Sequence, residues 1–163
     1  MLPSIAPLHA IIALNTGLVR NAVDGVDDAK ARARPLDGAN SAAFLFAHVI
    51  GTRHLMASVA GAPQANPIDR YITARNAIDE ITEWPTMAEM HAAWSAVSAA
   101  LEGAMAALTA EAAAAPTAFK FPIPDTSVGG VLTFFTQHDS YHLGQLSMLR
   151  KHLVGSAMSY KIG

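Results

Sequence analysis

The chain has 163 residues, 52% of them hydrophobic and 15% charged, with a formal net charge of −2 at pH 7. These values fit one globular domain, residues 1–163, with a real core, and they exclude a disordered chain. The weak negative charge and the lack of basic runs argue against nucleic acid and anionic membranes as partners, and the absence of cysteine excludes disulfides, thiolate zinc sites and a cysteine nucleophile.

The amino-terminal stretch MLPSIAPLHAIIALNTGLVR has no basic start or cleavage pattern of a secretion signal. Its apolar run is too short and interrupted to span a bilayer, so a cytoplasmic location is expected. The first predicted helix runs from about Ser4 to Val23, with Ile5, Leu8, Ile12 and Val19 on or near one face. Residues 24–40 read as turn and loop, broken by Pro35 and Gly38. The second helix starts after Asn40 or Ser41, either of which can cap it, and stops near Ala60 at Gly61 and Pro63.

Residues 64–85 are polar and mixed, with room for a short helix in ARNAIDEIT. Thr86-Met-Ala-Glu89 is a capping box that opens the third helix. Met90, Trp94, Val97, Leu101, Met105 and Leu108 follow at helical spacing, and the alanine-rich LTAEAAAAP frays the helix before Pro116. TAFKFPIPDTS is extended at most, because its prolines demote it as a central strand. The fourth helix starts near Thr126 or Ser127 and runs to about Val154, with Gly155 at the stop. No period-2 alternation is sustained, so the expected class is all-α, a four-helix bundle with two longer connections at 24–40 and 61–86.

Two helices bring imidazole to apolar faces. On the second, Phe44, Leu45, His48, Thr52 and Leu55 share a face; on the fourth, Phe134, Phe135, His138, Tyr141, His142, Gln145 and Leu149 do. Histidines at i, i+4 plus a third from a facing helix can make a compact three-nitrogen face with open coordination positions. The alternative is a set of core histidines bonded to carbonyls. His54, six residues past His48, is rotated about 240° from it. His152 lies about 15 Å along the axis from His142. His9 reads as a helix-face residue, and His91 beside the third stripe is the best spare. Asp139, turned about 100° from His138, reads as a solvated residue rather than a ligand.

Two stretches carry a resemblance. ARPLDGANSAAFLFAHVIGTRHLMASVAG resembles the second-helix signature of the DinB-like superfamily: a proline, a polar turn, a cap, then apolar residues leading to a histidine. LTFFTQHDSYHLGQLSMLRKHL resembles its last-helix signature, histidine, three residues, histidine, then Gly-Gln. The resemblance implies a four-helix bundle of DinB/YfiT-like up-down-down-up topology and a divalent metal held by three histidines, here His48, His138 and His142. Imidazole suits zinc, nickel, copper and iron alike; zinc or nickel is the leading expectation, with iron and manganese next. Relatives include bacillithiol- and mycothiol-dependent S-transferases and a mycothiol-dependent maleylpyruvate isomerase, and members are often homodimers. Relatives often carry an acidic residue shortly after the second-helix histidine, where this chain has Thr52, Arg53 and His54.

The expected function is metal-dependent chemistry on a small-molecule substrate, with a low-molecular-weight thiol supplying the nucleophile that a cysteine-free chain lacks. A hydrolase using metal-activated water, and a non-catalytic metal- or ligand-binding bundle, are the alternatives. Gln145, one turn past His142, could bond a ligand or serve as an interhelical amide. Tyr141 could donate to a substrate oxygen or pack as an amphipathic residue, and Gly144 reads as allowing close helix packing. Ligand imidazoles must be neutral, so metal affinity is expected to fall as the pH drops through about 6.5.

Overall fold

A computed structural model describes residues 5–73, 76–120 and 122–161. Among these residues the fold is all-helical, with no strand. Four long helices, α1 (Ala6–Val23), α3 (Ala42–Val59), α4 (Met87–Ala107) and α6 (Val128–Val154), are joined by loops that hold two one-turn helices, α2 (Asp28–Arg32) and α5 (Ala110–Ala114).

The local signals place the ends. Pro7 sits in the first turn of α1, where its missing N–H costs nothing. The expected start at Ser4 lies outside the described residues. Of the two candidate caps for α3 it is Ser41 whose hydroxyl accepts from Phe44 N, at 3.2 Å. The Thr86–Glu89 capping box closes in both directions, with Glu89 N on Thr86 Oγ1 and Thr86 N on Glu89 Oε2. Ser127 caps α6 by accepting from Gly130 N. Gly130 leaves room for the chain reversal before it, since a Cβ there would lie 2.2 Å from the Asp125 carbonyl oxygen. At the far end Gly155, with φ 73°, takes the left-handed turn that stops the helix.

Two connections depart from the sequence reading, at α2 and α5, and two others refine it. The 24–40 loop contains α2, because Asp27 caps it by accepting from Lys30 N. Asp28 then accepts from Met87 N, tying this loop to the start of α4. The alanine-rich tail of α4 does not simply fray. It breaks at Leu108, and Thr109 caps the separate turn α5. Around TAFKFPIPDTS the backbone bonds of Thr117 N to Thr126 O and Val128 N to Ala115 O close a loop rather than a strand. Phe121 of that stretch is outside the described residues. The short helix expected in ARNAIDEIT is a single 3₁₀ turn, Ile78–Glu80, and Ala74 and Arg75 of that stretch also lie outside the described residues.

Side-chain pairs fix how the long helices lie together. Along α1 and α6 the numbers rise together: Asn15 Nδ2 donates to Ser140 Oγ at 2.9 Å, and Arg150 donates to the Asp24 carbonyl. Along α3 and α6 they run oppositely, with Arg53 on Asp139 and Leu45 beside Leu149. Between α1 and α4 they also run oppositely, with Trp94 Nε1 donating to Thr16 O and His9 near Glu102. In α3 and α4 they rise together: Phe46 packs on His91 and Trp94, and Met56 shares a cluster with Leu101 and Met105.

The core divides in two. One cluster holds Leu18, Phe46, Ile50, Trp94, Leu146 and Leu149; the other holds Ile12, Met56, Leu101, Met105, Leu132 and Phe135. Helix α3 is long and apolar enough to cross a membrane by length and composition, and 72% of it is buried inside this fold. That burial is what a central core helix requires.

Candidate metal centre

His48 from α3 and His138 and His142 from α6 meet on one side of the molecule, each half-buried. Their Nε2 atoms converge: His48 and His138 lie 3.2 Å apart, and His138 and His142 lie 3.1 Å apart. A tetrahedral ion with metal–nitrogen bonds of about 2.0–2.1 Å needs nitrogens about 3.3–3.4 Å apart. Two sides of the triangle are therefore within a few tenths of an ångström of that spacing, and all three ligand nitrogens lie within 4.8 Å of one another.

The ring environments disfavour the imidazolium form. Burial, then the neighbouring His142, lowers the His48 pKa to about 4. Burial, then His142 and His48, lowers that of His138 to about 4. Both rings are thus neutral at pH 7, and they stay so well below the pH 6.5 of a free imidazole. Protonation of these two rings therefore falls at a lower pH than the 6.5 on which the sequence-based expectation of affinity loss rests. Gln145 Oε1 lies 2.7 Å from His142 Nδ1 and can only accept, so Nδ1 carries the proton and Nε2 faces inward with its lone pair. At these distances a ring N–H can bridge each close pair, and a cation can take that proton's place between the nitrogens. The donor set fits a divalent metal that accepts imidazole.

The sequence model of the DinB superfamily matches residues 12–146. The chain belongs to the DinB superfamily. No curated protein and no solved structure gives a significant match.

In this superfamily member aromatic rings wall the histidines. Phe44 lies parallel to His48 at 6.4 Å, Phe135 is edge-on to His138 at 5.7 Å, and Tyr141 is edge-on to His142 at 5.0 Å. Tyr141 is 58% exposed, so it is not the packing residue that one sequence reading allowed. Its hydroxyl accepts from Gln145 Nε2 at 3.4 Å. Gln145 thus bonds within α6, on one side to His142 and on the other to Tyr141, and is not an interhelical amide. Gly144 is exposed, and a Cβ there would meet nothing within 4 Å, so close packing does not explain it.

The other histidines stay apart from the cluster. His9 lies 2.9 Å from Glu102. His91 is edge-on to Phe46. His54 is buried elsewhere on α3, and burial lowers its pKa. His152 is exposed.

Asp139 corrects the sequence reading. It is fully buried rather than solvated, and its Oδ2 accepts from Arg53 Nη2 at 2.6 Å. The turn of about 100° from His138 carries it into the helix interface, not outward. Arg53 is also fully buried. Its Nη1 donates to Thr16 Oγ1 at 2.9 Å, and its guanidinium lies over the Trp94 ring at 4.5 Å. Thr52 Oγ1 lies 3.4 Å from Asp139 Oδ1. Burial raises the Asp139 pKa above the usual carboxylate value, and the Arg53 charge and the hydrogen bonds of Arg53 and Thr52 offset part of that rise. Sequence reasoning missed this pair. The available signal was Arg53 itself: a cation in the middle of an apolar helix demands a buried anion from another element.

Proposed function

We propose that the chain is a divalent-metal-dependent enzyme of thiol S-transferase type, with His48, His138 and His142 as the metal ligands. The convergence of three imidazoles, with two Nε2 pairs at 3.1–3.2 Å, carries the reading. The four long helices would form an up-down-down-up four-helix bundle, as the parallel pairs α1/α6 and α3/α4 and the antiparallel pairs α3/α6 and α1/α4 support. The reading extends to a small-molecule substrate, a homodimer and a cytoplasmic location.

A divalent ion held there would make a bound thiol or water far more acidic than in bulk water. The chain's own residues supply the rest. His48 and His138 stay neutral through burial, and Gln145 fixes the His142 ring so that Nε2 points inward. Phe44 and Phe135 limit water around the ligands. The Tyr141 phenol stands exposed beside His142, where it can donate to a substrate oxygen. In the transfer, the thiol's proton passes to solvent, and its sulfur bonds to an electrophilic carbon as the bond from that carbon to the leaving group breaks. The leaving group departs with its electron pair.

The test starts with metal analysis of protein purified without an affinity tag. One divalent ion per chain is expected, with strong loss in His48→Ala and in His142→Ala; the exposed His152→Ala serves as the control. Metal content that survives the double change His48→Ala/His142→Ala removes the ligand assignment. With cobalt loaded, bacillithiol, mycothiol or a small model thiol should give a thiolate charge-transfer band and accelerated addition to a model electrophile, and His138→Ala should abolish both. An unchanged cobalt spectrum together with metal-dependent ester or amide hydrolysis points instead to a hydrolase. No activity across a broad panel points to a binding module.

A further inference from the structure

The metal face is assembled across two helices, so its dimensions depend on how α6 is set against α3. Apolar contacts alone hold such a setting loosely, because hydrophobic side chains repack with small shifts at little cost. A hydrogen-bonded ion pair does not slide. We propose that Arg53 is a positioning residue for the three-histidine centre: through Asp139 it locks the register of α6 on α3 and so fixes the Nε2 triangle. The proposal rests on the metal-site reading for its functional meaning, and on the geometry of the two helices for its physical claim.

The two helices present matching rows. Helix α3 offers His48, Thr52 and Arg53; helix α6 answers with His138, Asp139 and His142. The cross-links are His48 to His138 at 3.2 Å, Thr52 to Asp139 at 3.4 Å and Arg53 to Asp139 at 2.6 Å. Asp139 is the chain neighbour of one proposed ligand and lies three residues before the other, so whatever pins Asp139 pins both. Arg53 is itself immobilised from the opposite side. Thr16 of α1 accepts from its Nη1, Trp94 of α4 lies against its face, and Trp94 Nε1 donates to the Thr16 carbonyl at 3.2 Å. All four long helices therefore meet at one guanidinium.

Stability alone is a poor explanation for this arrangement. Two charges with no exposure gain little over a well-packed apolar pair of the same volume. Directional setting of a neighbouring site is what an apolar pair would not provide. Arg53 touches none of the three histidines in its hydrogen bonds or ring contacts, so it acts through Asp139 and not as a ligand.

The experiment compares the wild type with Arg53→Met/Asp139→Leu, which removes both charges and keeps the volume. Crystal structures of the metal-free proteins read the Nε2 triangle. Zinc and cobalt affinities are read by chelator competition, and the cobalt absorption spectrum reports ligand geometry. The double variant should fold, its triangle should open well beyond the wild-type 3.1–3.2 Å, and its affinity should drop by about 10- to 100-fold, as when a group orienting a ligand is lost. An unchanged triangle, or zinc affinity within about twofold and the same cobalt spectrum, overturns the proposal. If the double variant does not fold, Arg53→Lys keeps the charge but loses the planar fork and the stacking on Trp94. It should shift the cobalt spectrum in the same direction, and an unchanged spectrum and affinity again overturn the proposal. A wild type that binds none of zinc, cobalt or nickel defeats the metal-site reading, yet the metal-free triangle still decides the role of Arg53.

Discussion

Removing one member of the Arg53–Asp139 pair should cost far more than removing both. Neither side chain has any exposure, and the bond between them is 2.6 Å. In Arg53→Met the Asp139 carboxylate loses its cation and keeps only the Thr52 hydroxyl at 3.4 Å. In Asp139→Leu the guanidinium keeps the Thr16 hydroxyl and the Trp94 face but no anion. Leaving one buried charge unpaired costs about 3–5 kcal/mol, whereas replacing a whole buried pair with apolar groups is neutral or even stabilising by about 1–4 kcal/mol. For a chain of this length each kcal/mol moves the melting temperature by about 2–4 °C, so the single variants should melt roughly 6–20 °C below the wild type. The assay is urea and thermal unfolding of the metal-free proteins at pH 7, for the wild type, both single variants and the double. The double-mutant cycle should show a coupling of several kcal/mol. Single losses under about 1 kcal/mol, or a double variant as unstable as the sum of the singles, would refute the view that these two charges face each other in a dry interior.

Gln145→Leu should leave the fold intact but lower zinc affinity by about 10- to 100-fold, because the His142 tautomer is then no longer held; calorimetric titration reads it, and an unchanged affinity shows that Gln145 does not orient the ligand. For pH, both His48 and His138 have folded-state values lowered to about 4, while the unfolded rings titrate near about 6.5. Below pH 6.5 the unfolded chain therefore binds more protons than the folded one, so stability is full above about 6.5 and declines as the pH falls towards 4. Urea unfolding of the metal-free protein across that window should show the decline, and His48→Ala/His138→Ala should reduce it to what the buried His54 and His91 contribute; a level wild-type profile contradicts the buried neutral state. Thr86→Ala should cost about 1 kcal/mol, since Thr86 supplies half of the capping box on α4, and a loss below about 0.3 kcal/mol in the same unfolding assay would show that box to be idle.

The long helices were legible because each announces itself locally. Ser41, Thr86 and Ser127 cap three of them as their side chains allow, and the stripe Met90, Trp94, Val97, Leu101 and Met105 is wholly buried. The one-turn helices α2 and α5 were not legible for the opposite reason. A five-residue helix has almost no periodicity, and its existence rests on one capping bond, Asp27 to Lys30 in α2 and Thr109 to Ala112 in α5. Proline and glycine between Asp27 and Gly38 hide such a turn inside what reads as loop.

The same contrast separates the parts of the candidate site. His138 and His142 are four residues apart, so their alignment follows from helix geometry alone. His48 joins them from α3, and its place on an apolar face together with the second-helix signature pointed to them. The Arg53–Asp139 pair spans 86 residues and two helices. Asp139 could not be placed from its own helix, because a turn of about 100° away from His138 leads towards solvent or towards a neighbour, depending on where that neighbour stands. Arg53 settles the direction. A cation on the most buried helix cannot stay unpaired, and an anion beside the two histidines of the facing helix is the partner that leaves His48 opposite them. The buried charge pair and the three-histidine cluster therefore require the same helix register, and each accounts for the other's position.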